Sequence, residues 1–230
     1  MPDIKIACPD GSFSAYLAAP KSGAGGGVLV IQEIFGVNKD MRDHCDHLAA
    51  QGYFALCPDI FWRQEPGIQI TDKTEAEWAK AFELYKGFDV AKGTADLKVA
   101  LAHLRKVKGC SGKAGTVGFC LGGLLAYIMA TESDADCNVA YYGVGIDGRL
   151  DAASKIKSPT VLHIAEEDGF VPKDAQAKIK GALKGHPQVT IYSYPGVDHA
   201  FARNNGVNYN NAAAERAEKR TLACFKANLA

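Results

Sequence analysis

The chain lacks a surplus of either charge: 26 Lys and Arg stand against 26 Asp and Glu. No run of like charge is long enough to form a basic stripe or an acidic tail, so phosphate-backbone binding has no electrostatic footing and no nucleic-acid partner is expected. Long apolar runs are missing too. No stretch reaches the roughly 18 apolar residues that a membrane span needs, and the opening MPDIKIACPDGSF carries acid and lysine where a secretory signal would carry an apolar core. The expectation is a soluble, cytoplasmic protein with no membrane partner. Paired cysteine spacings are also absent. The seven cysteines, Cys8, Cys45, Cys57, Cys110, Cys120, Cys137 and Cys224, form neither zinc-type clusters nor a disulfide framework. Reduced thiols follow, most of them in apolar segments where a cysteine behaves as a small hydrophobe. Internal repeats are missing, and the one low-complexity patch, SGAGGG at 22–27, reads as a flexible turn: it has no Lys-Ser/Thr partner for a phosphate loop and no helix directly after it.

What is present is alternation. With 47% hydrophobic residues, 230 residues suffice for one well-buried α/β domain spanning 1–230 and are short for two. Eight short apolar or β-branched runs, DIKIAC, SFSAYLAA, GVLVIQ, YFALCPD, AGTVGF, CNVAYYG, TVLHIAE and VTIYSYP, recur with helical segments between them. Such alternation predicts a mostly parallel eight-stranded sheet with helices on both faces. Pro9-Asp10-Gly11 separates the first two runs and predicts an antiparallel hairpin at the sheet edge. Asn38 can cap a helix through KDMRDHCDHLAAQ that stops at Gly52. The stretch 74–106 reads as two helices interrupted near Gly87 and Gly93, and the last 20 residues as a terminal amphipathic helix.

One bend carries chemistry. Gly118-Phe119-Cys120-Leu121-Gly122 fits the G-x-nucleophile-x-G elbow, with a strand before it and a helix after it. Backbone is strained at such a turn, and a side chain two residues either side of the nucleophile would collide with its surroundings. The helix start aims free N–H groups at the sulfur and favours thiolate over thiol. Taken alone, the pentapeptide fits a Gly-rich packing site with an inert cysteine equally well. The decision rests on whether an acid and a base follow at strand ends. Asp168 follows the strand TVLHIAE, and His199 follows VTIYSYP in GVDHAFAR. Nucleophile, acid and base then come in the chain order of the α/β-hydrolase triad. The neighbours fit less well: Glu166 and Glu167 lie before the Gly turn, His163 is held inside its strand, His186 reads as a surface loop residue, and Asp198 adjoins the imidazole it would have to face.

With the elbow in place, VIQEIFGVN, MRDHCDHLAAQGYFALCPD, VGFCLGG, AYYGVG, EEDGFVP and DHAFAR together resemble the dienelactone hydrolase family, over nearly the whole chain. The resemblance implies an α/β-hydrolase fold, a Cys120–His199–Asp168 triad, and no metal or organic cofactor. It implies that Glu33 holds the resting thiol and helps to ionise it; the plain alternative is a salt bridge from Glu33 to Arg42. The backbone N–H groups of Leu121 and Ile34 would form the oxyanion hole. Arg203 would bind a substrate carboxylate with its guanidinium fork. Phe35, Phe82, Tyr85, Tyr142 and Phe201 would wall a small flat ring. Two positions depart from the pattern: Trp78 stands where reference members carry a second carboxylate-binding arginine, and Ala200 follows the histidine where a serine is common. Losing one of two cations weakens binding of an anion by about 1–3 kcal/mol. The implied activity is opening of a small, anionic, activated lactone in aromatic-compound degradation; a monomer is the default expectation. A broader carboxylesterase or thioesterase, a non-catalytic binding module and a redox-sensing thiol protein are the rivals; the last would need a resolving cysteine near Cys120, which the sequence does not place.

Overall fold

The computed structural model describes residues 3–230, so Met1 and Pro2 of the expected 1–230 domain lie outside the described residues. All eight expected strands form: β1 (Asp3–Cys8), β2 (Gly11–Ala18), β3 (Gly25–Ile31), β4 (Phe54–Pro58), β5 (Cys110–Phe119), β6 (Asn138–Tyr141), β7 (Thr160–Ala165) and β8 (Val189–Tyr194). Their order in the sheet is β1-β2-β4-β3-β5-β6-β7-β8. The expected hairpin is there at the edge: β1 pairs antiparallel with β2, and β2 antiparallel with β4. Strand β3 runs parallel to β4, and β5 to β8 run parallel in succession. Strands such as β7 are buried along their whole length, as strands with two covered faces must be.

The described residues pack as two compact units, 3–115 with Leu229–Ala230, and Thr116–Asn228. In the first, α1 (Lys39–Ala50) starts at Asn38, whose side chain accepts the Met41 N–H, and packs on β2, β3 and β4. Helices α2 (Glu75–Lys86) and α3 (Val90–Leu104) are capped by Thr74 and Asp89. The break between them comes at Gly87, as expected, but Gly93 lies inside α3. Its hydrogen answers to packing: a Cβ there would run into the Phe88 ring. The SGAGGG patch also differs from the expectation. Gly25, Gly26 and Gly27 open β3, because side chains there would strike the Gly52 carbonyl, Leu229 and Leu104. Close packing, a property of residues distant in sequence, selected those glycines.

The second unit holds α4 (Leu121–Glu132), a 3-10 helix over Ile146–Lys155, α5 (Lys173–Leu183) and α6 (Asn211–Leu229). Helix α4 is buried almost throughout, and it packs on β6. Helix α6 buries Ala213, Ala217, Thr221 and Phe225, one every fourth residue and so on one face. Thr221 ties that face to the strands: its Oγ1 lies 2.7 Å from the Tyr141 hydroxyl and 3.1 Å from His163 Nε2, while His163 Nδ1 lies 2.8 Å from the Tyr194 hydroxyl. His163 is thus a core residue with both ring nitrogens engaged, as its place inside a strand predicted. Burial pushes its pKa down to about 3. Among the described residues no helix is long and apolar enough to cross a membrane.

Candidate active site

The elbow forms as the glycines require. Cys120 caps α4 with φ 55° and ψ −114°, a backbone conformation that costs a non-glycine residue about 1–3 kcal/mol. A Cβ on Gly118 would overlap the Gly122 carbonyl, so only glycine lets the chain reverse there. The turn is pinned from both sides: the Cys120 N–H donates to the Tyr141 carbonyl at 3.1 Å, and the Leu124 N–H to the Cys120 carbonyl at 3.1 Å. Leu121 is the first residue of α4, where an amide has no intrahelical acceptor. The Cys120 side chain is buried, with 8% of the residue exposed.

Asp168 and His199 meet as expected. His199 Nδ1 lies 2.9 Å and 3.0 Å from the two Asp168 carboxylate oxygens. Asp168 Oδ1 also accepts the Phe170 N–H at 2.8 Å and the Val171 N–H at 3.1 Å, which fixes the carboxylate before it orients the ring. Both residues are buried. Nε2 of the ring is buried and makes no hydrogen bond of ordinary geometry, yet the Cys120 sulfur is near enough to act on its charge. Burial opposes protonation of His199. The Cys120 sulfur and the Asp168 carboxylate outweigh it and push its pKa up to about 10. At neutral pH the imidazole is therefore charged.

Strain gathers at these strand ends. Among the described residues four non-glycines have positive φ, and three of them are Cys120, Tyr142 directly after β6, and Ala200 directly after His199. Tyr142 stands edge-on to the His199 ring at 5.0 Å between centroids and to Phe201 at 5.5 Å. Arg203 is buried in the loop after Phe201, its N–H bonded to the Ala200 carbonyl. Three residues that brace this site lie outside the expected site set. Asp198 Oδ1 accepts the Gly169 N–H at 2.9 Å and the His199 N–H at 2.6 Å, tying the acid loop to the base loop. Asn208 Nδ2 donates to the His199 carbonyl at 3.0 Å. Phe170, 47% exposed, stands edge-on to the His199 ring at 4.9 Å. Adjacency of Asp198 to His199 was the available signal, and it points to bracing of the backbone.

The other expected site residues belong to the first unit. Glu33 and Ile34 are buried just after β3, and Phe35 is buried beside them. Phe35 meets Trp78 edge-on at 5.1 Å, and Trp78 stacks on Phe82 at 5.5 Å, so a position that departs from the family pattern is the centre of an aromatic cluster. Its indole N–H donates to the Asp72 carbonyl at 3.1 Å. Tyr85 is half-buried one turn further along α2. Arg42, the alternative partner weighed for Glu33, pairs with both oxygens of Asp3 at 2.9 and 3.0 Å. Cys8, Asp10 and Asp96 bring metal-ligand atoms together, but the Arg63 guanidinium binds both carboxylates, so that set is an ion-pair cluster.

A model of the dienelactone hydrolase family matches residues 13–229. The chain belongs to that family. It is 52% identical, over the full length of both chains, to a protein of Azospirillum brasilense provisionally named carboxymethylenebutenolidase. It is 38% identical to carboxymethylenebutenolidase of Pseudomonas sp. (strain P51), over 94% of this chain and 90% of that one. A crystal structure from Klebsiella pneumoniae, provisionally described as a dienelactone hydrolase, superposes with a TM-score of 0.87 at 27% identity, over 98% of this chain and 97% of that one. The α/β-hydrolase architecture expected from the chain order of Cys120, Asp168 and His199 is thus that of the dienelactone hydrolases.

Proposed function

We propose that this dienelactone hydrolase family member opens a small activated lactone, 4-carboxymethylenebut-2-en-4-olide, to maleylacetate through a thioester on Cys120. The observation that carries the reading is the buried imidazole of His199, held by both Asp168 oxygens and charged by its carboxylate and sulfur neighbours. The Cys120 thiolate attacks the lactone carbonyl and forms a C–S bond, and negative charge develops on the carbonyl oxygen near the Leu121 amide. Collapse breaks the ring C–O bond and expels an enolate, a far better leaving group than an amide nitrogen; the enolate takes the imidazolium proton and leaves His199 neutral. Water, giving its proton to His199, then attacks the thioester, and the C–S bond breaks to release acid and thiolate. Asp168 keeps the ring oriented through both steps.

The proposal carries over from the family the Ile34 amide as second oxyanion donor, Glu33 as the group that exchanges a proton with the thiol, Arg203 as the cation for the substrate carboxylate, and Phe35, Trp78, Phe82, Tyr85, Tyr142 and Phe201 as pocket walls. It includes a monomer working in the cytoplasm on a small-molecule substrate, with no cofactor, nucleic acid or membrane partner. A second reading, a carboxylesterase or thioesterase for other small esters, is favoured by Trp78 in place of an arginine. Hydrolysis of cis- and trans-dienelactone against neutral nitrophenyl esters, by wild type, Cys120→Ala and Arg203→Ala, separates the two. Lactone turnover that vanishes in Cys120→Ala and drops selectively in Arg203→Ala supports the first; ester turnover indifferent to Arg203 supports the second. Equal rates for wild type and Cys120→Ala would end both.

A further inference from the structure

Four cysteines outside the elbow face one another in two pairs, Cys45 with Cys57 and Cys137 with Cys224. The second pair is built by two periodicities. Cys137 directly precedes β6, and its carbonyl accepts the Thr116 N–H, so it continues the strand; side chains alternate along a strand, which puts Cys137 on the same face as Tyr141. On α6, Thr221, Cys224 and Asn228 recur at helical spacing along one side. The 2.7 Å contact of Tyr141 with Thr221 seats that side of the helix on that face of the strand. Cys224 then comes within hydrogen-bonding reach of Cys137. Asn228 Nδ2 approaches the Cys224 sulfur at 3.9 Å. Cys137 is fully buried and Cys224 half-buried, so solvent reaches Cys224 first.

We propose that Cys137 and Cys224 are a redox pair which a hydroperoxide converts to a disulfide, with Cys224 as the attacking sulfur and Cys137 as the resolving one. The Cys224 thiolate attacks one peroxide oxygen; the O–O bond breaks, and the departing hydroxide or alkoxide takes up the proton that Cys224 gave, leaving a sulfenic acid. Cys137 attacks that sulfur, the S–O bond breaks, and hydroxide leaves with the Cys137 proton as water. Two thiols lose two electrons and one peroxide gains them. The hydrogen bond from Cys137, helped by Asn228 and opposed by burial, holds Cys224 below the ordinary thiol range. The same bond, together with burial, pushes Cys137 up, so the proton sits on the inner sulfur. Cys45 and Cys57 are the internal contrast. Both are fully buried, so they offer peroxide no access, and burial pushes the Cys45 thiol well up.

The test uses the full chain, treated with hydrogen peroxide, unfolded in an alkylating agent and digested for mass spectrometry. The expected result is a Cys137–Cys224 linked peptide that dithiothreitol removes, with Cys45 and Cys57 alkylated as in untreated protein. In Cys137→Ser, dimedone should trap a sulfenic acid on Cys224; in Cys224→Ser, Cys137 should stay reduced. Three results overturn the proposal: Cys137 and Cys224 both alkylated under conditions that oxidise Cys120, Cys224 driven to sulfinic acid with Cys137 still reduced, or Cys45–Cys57 linked as readily as Cys137–Cys224. The decisive reading is made on wild type, so failure of a variant to fold leaves it intact.

Discussion

At the scale of single residues, the site is a contest between desolvation and charge on one imidazole. Burial alone would leave His199 neutral; the Cys120 sulfur and the Asp168 carboxylate reverse that and push its pKa up to about 10. Replacing Cys120 with serine removes the leading positive contribution, because a hydroxyl stays protonated. Cys120→Ser should therefore lose about 10²–10⁴-fold in kcat, and the His199 pKa should drop below its wild-type value when followed by NMR; an unmoved pKa would show that the sulfur does not face the ring. The same shift sets a pH window. A histidine whose folded pKa is raised from 6.5 to about 10 contributes stability that is complete below pH 6.5 and lost as the pH rises through 10. The urea midpoint of wild type should thus decline between those limits more steeply than that of His199→Gln.

At the scale of elements, the elbow and the loops after β7 and β8 decide where the chemistry sits. Gly118→Ala would drive a Cβ into the Gly122 carbonyl, a backbone atom that cannot rotate away, so it should cost about 3 kcal/mol or more, near the top of the overpacking range; thermal melts would show it. Asp198 offers a gentler probe. Asp198→Ala removes the acceptor shared by the Gly169 and His199 amides, and should lower kcat about tenfold, with Asp198→Asn restoring most of it. A kcat unchanged in Asp198→Ala would make the brace irrelevant to catalysis. These elements differ in how openly the sequence declared them. The elbow was legible because its glycines are demanded by local backbone geometry, and Asp168 and His199 because each lies in the loop that follows a strand run. Asp198 reads as too close to His199 to face its ring, and its bond to Gly169 on another loop has no local signature. SGAGGG reads as a turn and Gly93 as a break because the sequence does not show what excludes their side chains: the Gly52 and Leu229 carbonyls, the Leu104 side chain and the Phe88 ring. The thiol pairing of Cys137 with Cys224 likewise appears only once α6 is laid on β6.

At the scale of the whole molecule, the histidines place opposite slopes on either side of neutrality. His163 is buried with Nδ1 on Tyr194 and Nε2 on Thr221, and burial pushes it down to about 3; burial also pushes His44 down to about 4. Folded-state pKa values below 6.5 mean that the unfolded chain binds more protons as the pH falls, so this stability is complete above about pH 6.5 and lost toward pH 3. His199 carries the reverse slope above pH 6.5. With a formal net charge of zero at pH 7, self-repulsion adds least in the same region. Stability should accordingly peak near neutrality and fall by about 2–3 kcal/mol from His163 alone between pH 7 and pH 4. His163→Asn keeps a neutral polar group that does not titrate. Although that variant should be less stable at pH 7, its urea midpoint should change less on acidification than that of wild type. Parallel curves for the two proteins would mean that His163 takes up no proton on unfolding, and that acid lability arises elsewhere.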